Sequence, residues 1–203
     1  MIDNLIYVKH LSAPEIDRRE VLRYAGVREV DPQVEKMLDK CIGEAWEKLS
    51  YKACYRVFAV KMVGEEIDLG FSRTNSCSLI KTLDGCDKAV VFCATVGSEL
   101  DRLIAKYNVL SPASAVLLQA FGSERVEALC DEVCVDIKSM ASDMGYACTR
   151  RFSPGYGDLP LELQKHIFRA LDCTVKIGVN LNDDLFMTPS KSVTAIIGLR
   201  NVK

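Results

Sequence analysis

The stretch Arg151-Phe152-Ser153-Pro154-Gly155-Tyr156-Gly157-Asp158-Leu159-Pro160 gathers the residue types best suited to holding a small charged ligand. Arg151 carries a permanent cation whose forked N–H groups match a carboxylate. Ser153-Pro154-Gly155-Tyr156 has the composition of a type II turn, with proline setting φ at the second position and glycine accepting positive φ at the third. Gly155 and Gly157 leave the backbone N–H groups around Tyr156 uncovered by side chains. Together these groups suit a zwitterion, its carboxylate on Arg151 and the turn amides and its cationic centre against the Tyr156 ring. Residue types alone favour the plainer reading, a turn between a strand and a helix.

Other chemistry has less support. The chain has nine cysteines (Cys41, Cys54, Cys77, Cys86, Cys93, Cys130, Cys134, Cys148 and Cys173) and two histidines, His10 and His166. No Cys-x-x-Cys occurs, and an odd number of scattered cysteines argues against a disulfide framework. Cys130 and Cys134, four apart on a predicted helix, come nearest to a metal-ligand pair. Small buried hydrophobes describe them better, so free thiols and no bound metal are expected.

The 203 residues carry 26 Lys+Arg against 28 Asp+Glu and are 49% hydrophobic, enough to bury a core without a staple. A net charge of −2 argues against a nucleic-acid binder. No apolar run approaches about 18 residues, so no membrane span is expected. Met1-Ile2-Asp3-Asn4 lacks the basic start and apolar core of a secretory signal, and a cytoplasmic protein is predicted.

The elements that must position the loop can be read from periodicity and punctuation. Ser12 is expected to cap a helix with Pro14 and Glu15 in its first turn, ending at Gly26. Asp31-Pro32 opens a second helix, with Leu38, Cys41, Ala45 and their neighbours on one buried face. Residues 54–62 and 67–71 flank Gly64-Glu65 as a hairpin. Ser76 caps a short helix, and the continuous apolar run 88–96 is a central strand. A helix follows Gly97-Ser98. Residues 112–144 form the longest helical pattern, with Gly122 inside it marking a break or a close approach. Strands are expected over 147–151, 175–179 and 191–199, and a helix over 160–171. No linker or repeat divides the chain. The fold class is α/β (α+β): one domain over 1–203, with a mixed or mainly antiparallel twisted sheet and long helices packed on it.

The loop also resembles a known pattern. Arg151, Gly155, Tyr156 and Pro160 match Arg-x-x-x-Gly-Tyr-x-x-Cys-Pro, the S-adenosylmethionine-binding loop of the cobalamin-dependent methionine synthase activation domain family; Leu159 replaces its cysteine. Met187-Thr188-Pro189-Ser190-Lys191-Ser192-Val193 resembles that family's Met-x-Pro-x-x-Ser-Val segment at comparable spacing. Leu118-Gln119-Ala120-Phe121-Gly122-Ser123 resembles, more weakly, its Ala-Glu-Ala-Phe-Ala-Glu helix. There Gln119 and Ser123 replace the acids, and Glu124 follows. The resemblance covers residues 113–199, and 1–112 reads as the N-terminal part of the same domain. The family's N-terminal aspartate, which contacts the ligand's amino group, has no counterpart here.

The resemblance implies a reactivation role. The family's domain presents S-adenosylmethionine over a cobalamin that has oxidised to cob(II)alamin; a flavodoxin-like donor reduces it while the methyl group is transferred. By that pattern Tyr156 lies nearest the reacting methyl as the catalytic residue. Arg151, Ser153, Pro154, Gly155, Tyr156, Gly157 and Glu124 are the candidate ligand contacts. The chain is not a complete methionine synthase: neither histidine sits in Asp-x-His-x-x-Gly, and the zinc cysteines are missing. The Met1 start favours a stand-alone subunit acting on a cobalamin-binding methionine synthase module or other corrinoid protein. Two alternatives are a non-catalytic S-adenosylmethionine-sensing or docking factor and an activator of another corrinoid methyltransferase system. A Rossmann-type methyltransferase fits poorly, since Gly97-Ser98-Glu99 lacks the glycine-rich turn.

Overall fold

The computed structural model describes residues 5–202; the Met1-Ile2-Asp3-Asn4 segment read above lies outside the described residues. In chain order, β1 (Tyr7–His10) precedes helices α1 (Arg18–Tyr24) and α2 (Pro32–Ala45). Strand β2 (Lys52–Ala59) leads into the short β3 (Lys61–Val63), β4 (Glu66–Asp68) and β5 (Arg73–Thr74). Helix α3 (Cys77–Thr82), strand β6 (Lys88–Thr95) and helices α4 (Glu99–Leu110) and α5 (Pro112–Asp143) fill the middle. The remainder holds β7 (Tyr146–Cys148), α6 (Leu163–Leu171), α7 (Cys173–Ile177), β8 (Asn180–Leu181), β9 (Met187–Thr188) and β10 (Ser192–Asn201).

Five strands form one sheet in the order β1-β2-β6-β10-β7, with every neighbouring pair antiparallel. Strand β6 is central, and its side chains alternate between two cores. Val90, Phe92 and Ala94 meet α1, α2, α4 and α5, whereas Ala89, Val91 and Cys93 meet α3, α6 and α7. Helices cover both faces, which is why an antiparallel strand reads as apolar throughout. The antiparallel sheet with long helices is the architecture expected from the sequence. No described helix is long and apolar enough to cross a membrane.

Local chemistry sets the element ends. Asp31 caps α2 by accepting from Gln33 and Val34 N–H at 2.8 Å each. Ser76 caps α3 by accepting from Leu79 N–H at 3.2 Å. Helix α1 stops where Gly26 turns to φ +71, its N–H on the Arg23 carbonyl and that of Val27 on the Leu22 carbonyl.

Three expectations are corrected. Helix α1 starts at Arg18 with Asp17 as its cap, not at Ser12. The Pro14 and Glu15 carbonyls instead accept from the buried Arg125 guanidinium at 2.6 Å each, which holds that segment off the helix. The segment 175–179 is largely helix α7, not a strand. Positive φ at Asp172 (+49) and Gly178 (+75) bounds it, and buried Cys173 and Ile177 stand four apart, a helical spacing. The expected 54–62 strand divides at Val60, so that only β3 joins the Gly64-Glu65 hairpin.

The cysteines are thiols, five of them fully buried. Cys130 fills the core beneath α5, with Cys134 at its margin. Cys54, Cys93 and Cys173 lie together in the second core, where contact with Cys173 and burial push the Cys54 thiol far up, keeping it neutral.

Helix α5 runs 32 residues without a break, about 48 Å at ~1.5 Å per residue. Gly122 marks a close approach: a Cβ there would overlap Leu100 Cδ2 and stand 2.9 Å from Lys191 Cγ. Gly122→Ala gains up to ~1 kcal/mol of helix propensity but overpacks a closed interface at a cost of ~1–3 kcal/mol. A lowered denaturation midpoint is expected in urea titration. Elsewhere on α5, Glu124 and Arg125 form a buried pair, with Arg125 Nε to Glu124 Oε2 at 2.5 Å and Asp17 N–H on Glu124 Oε1 at 3.0 Å. Arg125→Leu strands the Glu124 charge and frees the 14–17 segment. The expected loss is about 3–5 kcal/mol of unfolding free energy, measured by the same titration.

Candidate functional site

The motif loop is positioned by a single rung of sheet. After β7 the chain stays on β10 through Thr149, whose N–H bonds the Gly198 carbonyl at 2.9 Å. It meets β10 last at this rung: Phe152 N–H bonds the Ile196 carbonyl at 2.9 Å and Ile196 N–H bonds the Phe152 carbonyl at 2.8 Å. The chain then turns away. Gly155 sits at φ +89 and Tyr156 N–H bonds the Ser153 carbonyl at 3.2 Å, the type II turn expected from Ser-Pro-Gly-Tyr. The turn closes on itself, because Gly155 N–H donates to the Leu159 carbonyl at 2.9 Å. This corrects the expectation that these amides point at a ligand: those of Gly155 and Tyr156 are used inside the turn.

Asp158 fastens the loop to α3. Its Oδ1 accepts from Ser76 Oγ at 2.6 Å and Ser78 N–H at 3.0 Å, and its Oδ2 from Cys77 N–H at 2.7 Å. The Ser76 hydroxyl, followed by these amides, holds the carboxyl well below the usual carboxylate range. Gly157, at φ +57, permits the approach, since a Cβ there would stand 2.7 Å from Ser78 Oγ. A carboxyl depressed in the folded state stabilises above its unfolded pKa, and this contribution fades as pH falls through the folded value. Asp158→Asn is therefore expected to lower the melting temperature at pH 7. Its deficit against the wild type narrows progressively below about pH 4 in a calorimetric pH series.

The first two motifs converge on one cleft of about 330 Å³. Arg151, Ser153, Pro154 and Tyr156 line it from the first motif; Met187, Ser192 and Val193 line it from the second. Pro189 leads into β10, and Ser192 Oγ lies 2.7 Å from the Pro189 carbonyl. The second motif is anchored on the far side. Ser190 N–H and Oγ donate to Asp101 at 2.7 and 2.5 Å, and Lys191 Nζ donates to Ser123 Oγ at 3.0 Å. Burial pulls the Lys191 pKa down.

Arg151 holds the charged end of the cleft. Its Nη2 donates to Glu127 Oε2 at 2.5 Å and lies 3.4 Å from Asp131 Oδ1, both on α5. Burial works against its charge, but Cys130, Glu127 and Asp131 outweigh that and raise its pKa. Tyr156 stands at the mouth, 67% exposed. Gln164 of α6 and Thr194 of β10 also line the cleft. Gln164 Oε1 and Thr194 Oγ1 are buried without a hydrogen-bond partner among the described residues.

Three candidate residues fall outside this lining. Gly155 and Gly157 shape the loop without facing the cleft. Glu124 points to Arg125 and Asp17 instead, because the buried guanidinium claims its carboxylate. Gln119 and Ser123 of the third motif border a different hollow, beside Tyr24. The acid at the cleft is Glu127, which the sequence reading missed. Its signal was available in the i, i+4 spacing of Glu127 and Asp131 on a predicted helix.

A five-stranded antiparallel sheet with helices on both faces, and a turn-walled cleft at its last long strand, defines the class of architecture. No known protein-family model and no curated protein matches the chain by sequence. In fold it is similar to the MetH reactivation domain, as seen in a crystal structure of that domain bound to AdoHcy. The TM-score is 0.64 at 14% sequence identity, over 95% of this chain and 78% of that chain. The likeness is one of fold. It extends through the N-terminal hundred residues, where no motif could be matched.

Proposed function

We propose that the cleft binds S-adenosylmethionine and that the chain acts as a reactivation subunit for a cobalamin-dependent methionine synthase. The observation that carries this reading is the convergence of Arg151, Pro154 and Tyr156 with Met187 and Ser192 on one cleft, in the fold of a domain that binds AdoHcy elsewhere. The volume falls at the lower end of the roughly 300–1,000 Å³ usual for small-molecule sites.

Each residue has a part that follows from its chemistry. Arg151 holds the ligand's carboxylate by exchanging the Glu127 partner for it, one charge-assisted bond for another. Pro154, Phe152 and Met187 supply apolar wall, which keeps water from the sulfonium. Tyr156 presents its ring at the mouth, where the methyl must pass to a partner. Gly155 and Gly157 hold the turn in a shape that a side chain would strain. S-adenosylmethionine supplies the methyl group, and with one electron from a flavodoxin-like donor it converts cob(II)alamin on a separate corrinoid protein to methylcobalamin, leaving S-adenosylhomocysteine. The electron transfer is uphill, so holding the methyl in line with its acceptor is what the cleft contributes.

A second reading, a docking or sensing factor that delivers no methyl, draws on the pairing of Arg151 with two acids, which a ligand must displace. Calorimetric titration of S-adenosylmethionine is expected to give Kd between about 1 µM and 1 mM for the wild type and no measurable heat for Arg151→Ala. Unaltered binding by the variant overturns the assignment of Arg151. Absence of methyl transfer to a reduced corrinoid protein, followed by visible absorbance, turns the reading to the docking factor.

A further inference from the structure

The cleft has a polar floor that neither motif accounts for. Gln164 projects from α6 and Thr194 from β10, two elements distant in sequence, and both side chains are more than nine-tenths buried at 6% and 2% exposure. Gln164 Oε1 and Thr194 Oγ1 each lack a hydrogen-bond partner among the described residues. Folded proteins leave few buried polar atoms unpaired, so two on one cleft call for a ligand group.

The main chain adds to this. Phe152 and Ile196 exchange two hydrogen bonds, so alternation along β10 turns the Thr194 N–H and carbonyl to the same side as those of Ile196. Beyond that rung the chain turns away, and Pro154, which has no N–H to donate, lines the same cleft as Thr194 without pairing to it. Around Thr194 the edge of β10 therefore faces the cleft rather than a partner strand.

The chemistry of the two ends differs. Arg151 and Glu127 make one end ionic, while the floor offers a neutral amide and a hydroxyl beside the apolar Phe152, Pro154 and Val193. The unpartnered Gln164 oxygen is an acceptor, which a carboxylate cannot satisfy, whereas the whole amide pairs well with an edge that presents a donor and an acceptor side by side. The N7 edge of adenine does so through its exocyclic amine and N7, and a glutamine amide can engage both at once, whereas a 6-oxo base presents two acceptors on that edge. On the reading given under Proposed function, we propose that Gln164 and Thr194 select the adenine base: the Gln164 amide pairs with its amine edge and the Thr194 hydroxyl bonds alongside. Arg151 then holds the amino-acid end and this floor holds the base.

The test compares S-adenosylhomocysteine with its 6-oxo analogue, S-inosylhomocysteine, by calorimetric titration of the full chain. The wild type is expected to favour the adenosyl ligand by about 5- to 150-fold, the worth of a bidentate amide pair. In Gln164→Met that preference collapses through a loss of adenosyl affinity, and Thr194→Val weakens adenosyl binding several-fold. Each variant removes an unpaired buried oxygen, so both are expected to melt at or above the wild-type temperature, which separates a lost contact from a lost fold. Equal wild-type affinity for the two ligands, or a preference that survives Gln164→Met, overturns the floor assignment. If wild-type adenosyl binding is still abolished by Arg151→Ala, the ligand reading stands without it. A wild type that binds neither ligand overturns both.

Discussion

Two hydrogen bonds between Phe152 and Ile196 carry more of this architecture than their number suggests. They are the last point at which the chain leaving β7 touches the edge of β10 before it turns away. One residue before that rung, Arg151 is set over α5, within reach of Glu127 and Asp131. One residue after it, Ser153 begins a turn whose proline cannot continue the ladder. A strand that ran on would have closed the space next to Thr194; this one opens it. The cleft is thus the consequence of a sheet pairing that stops early.

The rest of the fold serves to keep that edge in place. Strand β10 is held against β6 over eight residue pairs, from Ser192 with Thr95 to Leu199 with Lys88. Helix α5 lies across the same strands, and Gly122 lets Leu100 and Lys191 come close to its backbone. Lys191 and Ser190 in turn tie the start of β10 to Ser123 and Asp101. On the other face, Asp158 clamps the loop onto α3 through a hydroxyl and two amides. The loop is therefore fixed at both ends, at the sheet rung and at the α3 terminus, while Tyr156 between them stays exposed.

The buried pair of Glu124 and Arg125 illustrates how a tertiary contact overrides local preference. Ser12, Pro14 and Glu15 have the composition of a helix start, yet the Arg125 guanidinium takes the Pro14 and Glu15 carbonyls and defers the helix to Asp17. The same guanidinium draws the Glu124 carboxylate to itself, outside the lining of the cleft. The helix start is overridden by a charge buried through long-range packing, whose carbonyl partners lie more than a hundred residues away. Glu124 is held by its neighbour Arg125 together with the distant Asp17 N–H. Local rules contain no term for such a contact.

What could be read directly was whatever depends on neighbours along the chain. The apolar run of β6, the caps at Asp31 and Ser76, the long helical pattern of α5 and the type II turn at Gly155 follow from propensity, capping and φ restrictions acting over a few residues. That α5 runs through Gly122 unbroken was decided by the packing of Leu100 and Lys191 against it. The motif resemblance likewise pointed to Arg151 and Tyr156 without reference to any contact. The short α7 was misread because a five-residue segment is too brief for periodicity to separate helix from strand, and its bounds are set by positive φ at Asp172 and Gly178. The composition of the cleft was settled only in three dimensions. Glu127, Gln164 and Thr194 come from two helices and a strand that meet because the sheet brings residues 152 and 196 together. Which turn amides are already bonded, and which buried oxygens are left without partners, depends on that meeting. No spacing in the sequence encodes it.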